Sequence, residues 1–181
     1  MNLKSILSYS FQSFYLAGSF LLLFIFLPTF YNLSIGIPLS VIGLVILTSR
    51  LFDVISDFLI GYLSEKRIIS GRSKKNQILL GIIVFIFSLF GLYVIQSDNI
   101  YSFIFFYNLA LVSYSIAIIP YDSIVIDQKK ILKKRFRLAA IKEIFAILGV
   151  LSALIIPTVI SKLQGVDSVS YTHLRAHETR E

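Results

Sequence analysis

The sequence predicts an all-α, polytopic membrane protein with about five transmembrane helices. Of its 181 residues, 56% are hydrophobic and only 15% are charged, and the mean hydropathy is +0.83. A water-soluble domain commonly has about a quarter of its residues charged. The apolar residues also form blocks long enough to cross the hydrocarbon core of a bilayer, which takes ~20 helical residues. Basic residues, in contrast, cluster between these blocks.

Five apolar blocks follow one another along the chain. The second starts near Pro38, and proline is favoured in the first turn of a helix because no partner is needed there for the missing N–H. Pro120 interrupts the fourth block, where it frees a backbone carbonyl and permits a kink. The predicted spans are approximately residues 6–31, 38–63, 77–95, 101–126 and 140–160.

The basic residues predict the orientation of these spans. Of the 17 Lys and Arg residues, 12 lie in two places: five between the second and third spans, and seven from the end of the fourth span to Lys142. The other two connections have none. By the positive-inside rule the N-terminus and both basic segments are cytoplasmic, so these charges act as topology determinants and not as a nucleic-acid site. The Ile, Phe, Lys and Asn bias is typical of an AT-rich bacterial genome, which predicts a multi-pass protein of the bacterial inner membrane.

Several chemistries are not expected. The absence of Cys excludes disulfides and thiolate metal sites. Within the spans no nucleophile is paired with a base and no glycine-rich phosphate loop occurs, so we predict neither an enzyme nor a cofactor. The two histidines, His173 and His177, lie in a polar tail, residues 166–181. Residues 169–181, "VSYTHLRAHETRE", are similar to a translated sequencing adapter, so the predicted transmembrane domain comprises residues 1–165.

The stretch "SRLFDVISDFLIG" in the second span contains Arg50, Asp53 and Asp57 on one helical face. Near the middle of a bilayer each ionised side chain costs roughly 2.5–3.5 kcal/mol, so this face must be turned to a polar cavity or to another helix. Arg50 can pair with one aspartate, and two carboxylates one turn apart repel each other unless a cation lies between them. Two interpretations stay open: an Arg–Asp network that fastens helices together, or a binding site for a transported cation.

Polar side chains also recur at helical spacing in the first and fourth spans. A single Ser can bond back to its own helix, and a single Tyr can lie at the membrane interface. Three polar faces on three helices together predict a wet cavity. The residues are Ser8, Gln12, Tyr15 and Ser19 in the first span, and Asn108, Ser115 and Asp122, beside Tyr107, Tyr114 and Tyr121, in the fourth.

The second-span motif, "SRLFDVISDFLIGYLSEK", resembles the signature of the glycoside–pentoside–hexuronide:cation symporters, the melibiose-permease-like branch of the major facilitator superfamily. The following "GRSKK" and the later "IPYDSIVID" and "RFRLAAIKEIFAILGVL" are similar to further parts of the same family, so the resemblance covers about residues 7–160. It implies part of the N-terminal half of a twelve-helix fold, whose partner is the missing C-terminal half of the same transporter.

The resemblance also implies site residues. It places a coupling cation, Na⁺ or H⁺, at four oxygen-bearing residues, with Arg50 as charge partner: Asp53, Ser56, Asp57 and Ser115. Apart from this Na⁺, no metal is predicted. The carboxylates that bind sugar in the family fall at Ala17 and Ile118, which are apolar. The candidate substrate-binding residues are therefore chosen by orientation and family position: Gln12, Tyr15, Tyr114, Asp122 and Lys142.

The predicted function is that of a fragment of a secondary active transporter that couples a cation to the symport of a sugar, such as a glycoside, or another small solute. One alternative is a lipid or lysolipid carrier on the same scaffold, because Ala17 and Ile118 make the cavity more apolar. Another is a non-transporting membrane scaffold, whose basic segments dock a partner or anionic lipid. The expected partners are the solute and membrane lipids, and not nucleic acid.

Overall fold

A computed structural model describes residues 3–69, 74–95, 99–127 and 132–163. Every regular element in these ranges is a helix, which confirms the predicted all-α class. The polar tail, including His173 and His177, and parts of both basic segments lie outside the described residues, so the predicted domain boundary near residue 165 stays a prediction.

The helices are numbered α1 to α6 in chain order. The first span contains α1 and α2 with a π-helical segment between them, and the third span ends in a second π-helical segment. The elements are α1 Leu3–Leu21, the π segment Leu22–Phe26, α2 Leu27–Ser34, α3 Leu39–Ile69, α4 Lys74–Phe90, the π segment Gly91–Ile95, α5 Ile100–Asp127 and α6 Leu132–Leu163.

Five helical stretches are long and apolar enough to cross a membrane, as the sequence predicts. They are Ile6–Ser34, Leu39–Lys66, Lys74–Ile95, Ile100–Ile124 and Arg135–Val159. Beside the basic segments, α3 and α6 are longer than the predicted spans 38–63 and 140–160: α3 reaches Ile69, and α6 begins at Leu132. Lys and Arg are good helix formers, so helical hydrogen bonding continues into the basic segments.

The π segment of the first span has a local cause. Pro28 stands in the first turn of α2, and a proline ring clashes with the carbonyl four residues earlier. That carbonyl belongs to Phe24, inside the π segment Leu22–Phe26. A π turn is wider than an α turn because its hydrogen bonds span one more residue, and this width accommodates the ring.

The described chain divides into two compact units: residues up to Leu22 with those from Ile141 onward, and Leu23–Ala140. In the first unit, α1 and α6 cross at two glycines. A Cβ added to Gly149 would collide with the carbonyl of Phe14, and one added to Gly18 would lie 3.0 Å from the Gly149 oxygen. Only glycine allows the two backbones to approach this closely.

In the second unit, α5 packs against both α3 and α4. At the contact with α4, a Cβ added to Gly81 would lie 2.7 Å from the backbone nitrogen of Ala117. The aromatic rings of Tyr31 and Phe103, which are both buried, lie 4.5 Å apart between their centroids. Tyr31 also donates a hydrogen bond of 2.9 Å to the carbonyl of Leu92. Leu92 lies in the π segment that ends the third span, and the last carbonyls of a helix have no partner within the helix.

Two polar contacts join the ends of α3, α4 and α5 that adjoin the basic segments. Ser64 of α3 donates to Gln77 Oε1 of α4 at 3.0 Å. Lys74, at the start of α4, donates to Ser123 Oγ of α5 at 2.7 Å. The second unit is therefore held by hydrogen bonds near both ends of α4 and by apolar packing between them.

Candidate functional site

Arg50 and Asp53 of α3 form an ion pair inside the second predicted span. The Arg50 Nη1 atom donates to Asp53 Oδ2 at 2.9 Å, across the i, i+3 spacing that makes two residues neighbours on a helix. Asp53 is only 8% exposed. The helical spacing alone therefore brings the two charges together and gives one carboxylate oxygen a charged partner.

Arg50 has a second contact that comes from another span. Its guanidinium carbon lies 3.9 Å from the centre of the Phe24 ring, a cation–π arrangement. Phe24 belongs to the first π segment, and its ring meets Tyr107 of α5 edge to face, with 6.5 Å between the centroids. Nothing in the sequence distinguishes Phe24 from the other 15 phenylalanines, so this contact is visible only in the structure.

Each aspartate keeps one buried carboxylate oxygen without a partner. Neither Asp53 Oδ1 nor Asp57 Oδ1 has a hydrogen-bond partner among the described residues. Asp53 and Asp57 also repel each other electrostatically. When all are ionised, Arg50, Asp53 and Asp57 carry +1, −1 and −1, a sum of −1. One added positive charge would neutralise this group.

The two serines of the predicted cation site differ in position. Ser56 donates its hydroxyl hydrogen to the Asp53 backbone carbonyl at 2.9 Å, which leaves its oxygen lone pairs available. Ser115 is buried in α5. Asp53, Ser56 and Asp57 come together because they share α3, whereas within the described chain no hydrogen bond joins Ser115 to them.

Tyr107 of α5, whose ring meets Phe24, is a further polar residue near this group, and the sequence assigned it no role in the cation site. Its side chain is fully buried, and its hydroxyl has no hydrogen-bond partner in the described part of the chain. The hydroxyl interacts electrostatically with Arg50 and Asp53. The only sequence signal was its position in the tyrosine row of the fourth span.

The predicted substrate-binding residues fall in both units. In the first unit, Gln12 has a buried Nε2 atom with no partner among the described residues. Tyr15 lines a cavity of about 240 Å³ between α1 and α6. Lys142 Nζ lies 3.7 Å from Glu143 Oε1, a pair whose acid is largely exposed.

The remaining substrate candidates belong to the second unit. The Tyr114 ring packs on Phe85 with 5.7 Å between the centroids, and Tyr114 interacts electrostatically with Asp122 and Arg50. Asp122 is exposed. A substrate-binding role for these five residues stays a prediction.

A polar contact and an open groove lie between α3 and α5. Asn108 donates from Nδ2 to Ser49 Oγ at 3.0 Å and to the Ile104 carbonyl at 2.9 Å. The groove has a volume of about 370 Å³, and its lining is mainly apolar: Val45, Thr48, Ser49, Phe52, Ile104 and Asn108. The contact joins the two helices one turn away from Asp53.

Five apolar spans with ionisable groups buried within one of them define a polytopic helical membrane protein. The sequence matches the family described as "MFS/sugar transport protein" over residues 8–180. The chain therefore belongs to this family of the major facilitator superfamily, whose members are transporters, and its five spans fit a partial major facilitator fold. The resemblance to the superfamily is confirmed, whereas the melibiose-permease-like branch stays a prediction. No curated protein and no solved structure gives a significant match to the chain.

Proposed function

We propose that the chain is part of a secondary transporter that couples one monovalent cation, Na⁺ or H⁺, to the movement of a sugar or another small solute. The observation that carries this proposal is a pair of buried oxygens that have no hydrogen-bond partner among the residues the structure describes, Asp53 Oδ1 and Asp57 Oδ1. Ionisable groups inside a membrane span commonly mark ion pathways, because they are costly to keep there without a function.

A purely structural Arg–Asp network explains the site less well. Arg50 pairs with Asp53, but Asp57 forms no ion pair within the described residues. A buried charge without a partner is destabilising. The Asp57 carboxylate is therefore not needed for an ion pair that holds helices together. Binding of a cation would give it a role.

The coupling follows from this charge balance. With the cation absent, the α3 group carries one net negative charge; with Na⁺ or H⁺ bound, it is neutral. A ligand shifts a conformational equilibrium only by its difference in affinity between the two states. A cation that binds one state more tightly would favour that state, and a solute that needs the same state would be bound together with the cation. In major facilitator transporters the solute site lies between two halves of six helices each.

The test is cation-dependent stability of the purified chain in detergent. A ligand present at about 100 times its Kd stabilises the folded state by about 2.7 kcal/mol, so NaCl should raise the melting temperature relative to choline chloride at equal ionic strength. Asp57→Asn, which preserves shape and removes the charge, should abolish this difference. Glu65→Gln is the matched control, because Glu65 is an exposed acid on the same helix.

For a proton-coupled protein the same variants give a different signature. Na⁺ would have no effect, whereas the melting temperature would depend on pH in a way that Asp57→Asn removes and Glu65→Gln retains. If Asp57→Asn responds to both Na⁺ and pH as the unmodified chain does, the carboxylate binds no cation and the proposal is wrong.

A further inference from the structure

We propose that Tyr107 is a ligand of the cation at Asp53 and Asp57, and that its phenol oxygen makes the site selective for an alkali-metal ion such as Na⁺ over H⁺. This inference rests on the proposed cation site and narrows it to one kind of ion. It adds to that site a residue from α5, whereas both aspartates belong to α3.

The Tyr107 hydroxyl is buried, and among the described residues it forms no hydrogen bond. Tyrosine hydroxyls that are buried usually find a hydrogen-bond partner. Tyr31, in the same aromatic cluster, is 2% exposed and donates to the Leu92 carbonyl at 2.9 Å. Tyr107 is 0% exposed, and its hydroxyl meets no partner among the described residues. Of these two buried tyrosines, only Tyr31 has a hydrogen-bond partner for its hydroxyl among the described residues. A bound cation would give the Tyr107 hydroxyl a partner as well.

The Tyr107 ring is held by two aromatic neighbours. Phe103 stacks on Tyr107 with 5.7 Å between the centroids and 29° between the planes, and Phe24 meets it edge to face. These contacts restrict the ring, so the phenol oxygen has little freedom to seek a partner elsewhere. Phe24 in turn carries the Arg50 guanidinium carbon 3.9 Å from its ring centre, so Tyr107 is joined to the ion pair through one shared aromatic ring. The hydroxyl also interacts electrostatically with Arg50 and Asp53.

Three oxygens without a hydrogen-bond partner in the described residues suit an alkali-metal ion. Asp53 Oδ1, Asp57 Oδ1 and the Tyr107 hydroxyl are all buried. A phenol can donate its hydrogen to a carboxylate while a lone pair faces a cation. It adds a ligand but no charge, so the net charge of −1 still matches a monovalent ion. A proton needs only one carboxylate oxygen, whereas hard metal ions collect several oxygen ligands.

The experiment measures Na⁺ affinity by ²²Na⁺ binding to the purified chain, together with melting temperature in NaCl and choline chloride. Tyr107→Phe keeps the ring and its packing but removes the oxygen. We expect its Na⁺ affinity to fall roughly tenfold or more, as for the loss of one hydrogen-bonding contact to a charged group. Tyr31→Phe is the matched control: it removes a hydroxyl from the same aromatic cluster and should keep the unmodified affinity.

A spectroscopic readout does not depend on whether Tyr107→Phe folds. The chain has ten Tyr and no Trp, so an ultraviolet difference spectrum reports on tyrosine directly. Na⁺ should produce a tyrosine difference band in the unmodified chain and in Tyr31→Phe. If the unmodified chain binds Na⁺ but shows no tyrosine difference band, the proposed role of Tyr107 is wrong.

The possible failures can be told apart. If Tyr107→Phe binds Na⁺ as tightly as the unmodified chain while Asp57→Asn does not bind it, the cation site stands and the Tyr107 proposal is overturned. If the chain responds to pH through Asp57 and not to Na⁺, coupling to H⁺ stands and the selectivity proposed here is wrong. If neither ion has an effect, both proposals fail.

Discussion

Asn108 of α5 donates its amide to Ser49 Oγ of α3 at 3.0 Å, and Ser49 lies one turn before Asp53 on the same helix. Interhelical hydrogen bonds of this kind set the rotation of one helix against another in a membrane. The bond thus holds the charged face of α3 in a defined position relative to α5, the helix that carries Tyr107.

Removing this bond should destabilise the second unit. Asn108→Ala and Ser49→Ala are each expected to lower the free energy of unfolding by about 0.6–2 kcal/mol, measured by denaturation in detergent. The double variant should cost less than the sum, because both changes remove the same bond. Thr48→Ala is the control, since Thr48 is exposed and donates only to carbonyls of its own helix. Additive effects of the two changes would show that the bond contributes nothing.

Arg50 should stabilise the fold through Asp53. Arg50→Gln leaves a buried carboxylate without its charged partner, which we expect to cost roughly 1.5–3 kcal/mol. Adding Asp53→Asn should recover most of the loss, because the uncompensated charge is then gone. Glu143→Gln breaks the Lys142–Glu143 pair, whose acid is largely exposed, and should change stability by less than about 1 kcal/mol. A double variant no more stable than Arg50→Gln alone would contradict this role of the ion pair.

The close contact of α4 and α5 predicts a large effect of one added methyl group. Gly81→Ala would place its Cβ 2.9 Å from both the Ala117 Cβ and the Ser113 carbonyl. Overpacking of this kind costs typically about 1–3 kcal/mol, seen as a lower melting temperature. Gly43→Ala on α3 meets nothing within 4 Å, and its better helix propensity should leave stability equal or raise it by up to ~1 kcal/mol. Equal effects of the two variants would mean that α4 and α5 pack differently.

The predicted orientation can be tested independently of the site. A reporter that is active only outside the cytoplasm should be active when inserted at Gly36, between the first two spans, and inactive at Gly71, in the first basic segment. Replacing the five basic residues of that segment with Gln should weaken the preference, because Lys and Arg near span ends determine orientation. Reporter activity at Gly71 in the unmodified protein would show that the topology is the inverse of the predicted one.

Much of the architecture follows from local properties of the chain. Spans are recognisable because the hydrocarbon core requires an apolar block of a certain length, whatever its neighbours. The shared face of Arg50, Asp53 and Asp57 follows from the helical period alone, and so does the spacing that lets Arg50 pair with Asp53. Helix ends were harder to predict, since α3 and α6 continue into basic segments that a hydropathy criterion treats as loops.

The π segments were not predicted, although Pro28 marks the place of the first one. A hydropathy pattern measures the length of an apolar block and not the register of its hydrogen bonds. Likewise, the sequence did not single out Tyr107, which interacts electrostatically with Asp53; the family resemblance placed the α5 ligand at Ser115, more than two turns further along the helix, and that role of Ser115 stays a prediction. Which face of α5 meets α3 depends on packing between helices, and no single helix contains that information.

The sequence by itself determined an all-helical membrane protein with five spans, a charged face on the second span and two basic connections, because helical period and hydrophobic length are properties of each segment alone. Only the tertiary structure decided that the Phe24 ring packs on Arg50 and meets Tyr107, and that Asp53 and Asp57 each retain one buried oxygen with no hydrogen-bond partner in the described part of the chain. These relations join residues from different spans, and they exist only once the helices have packed.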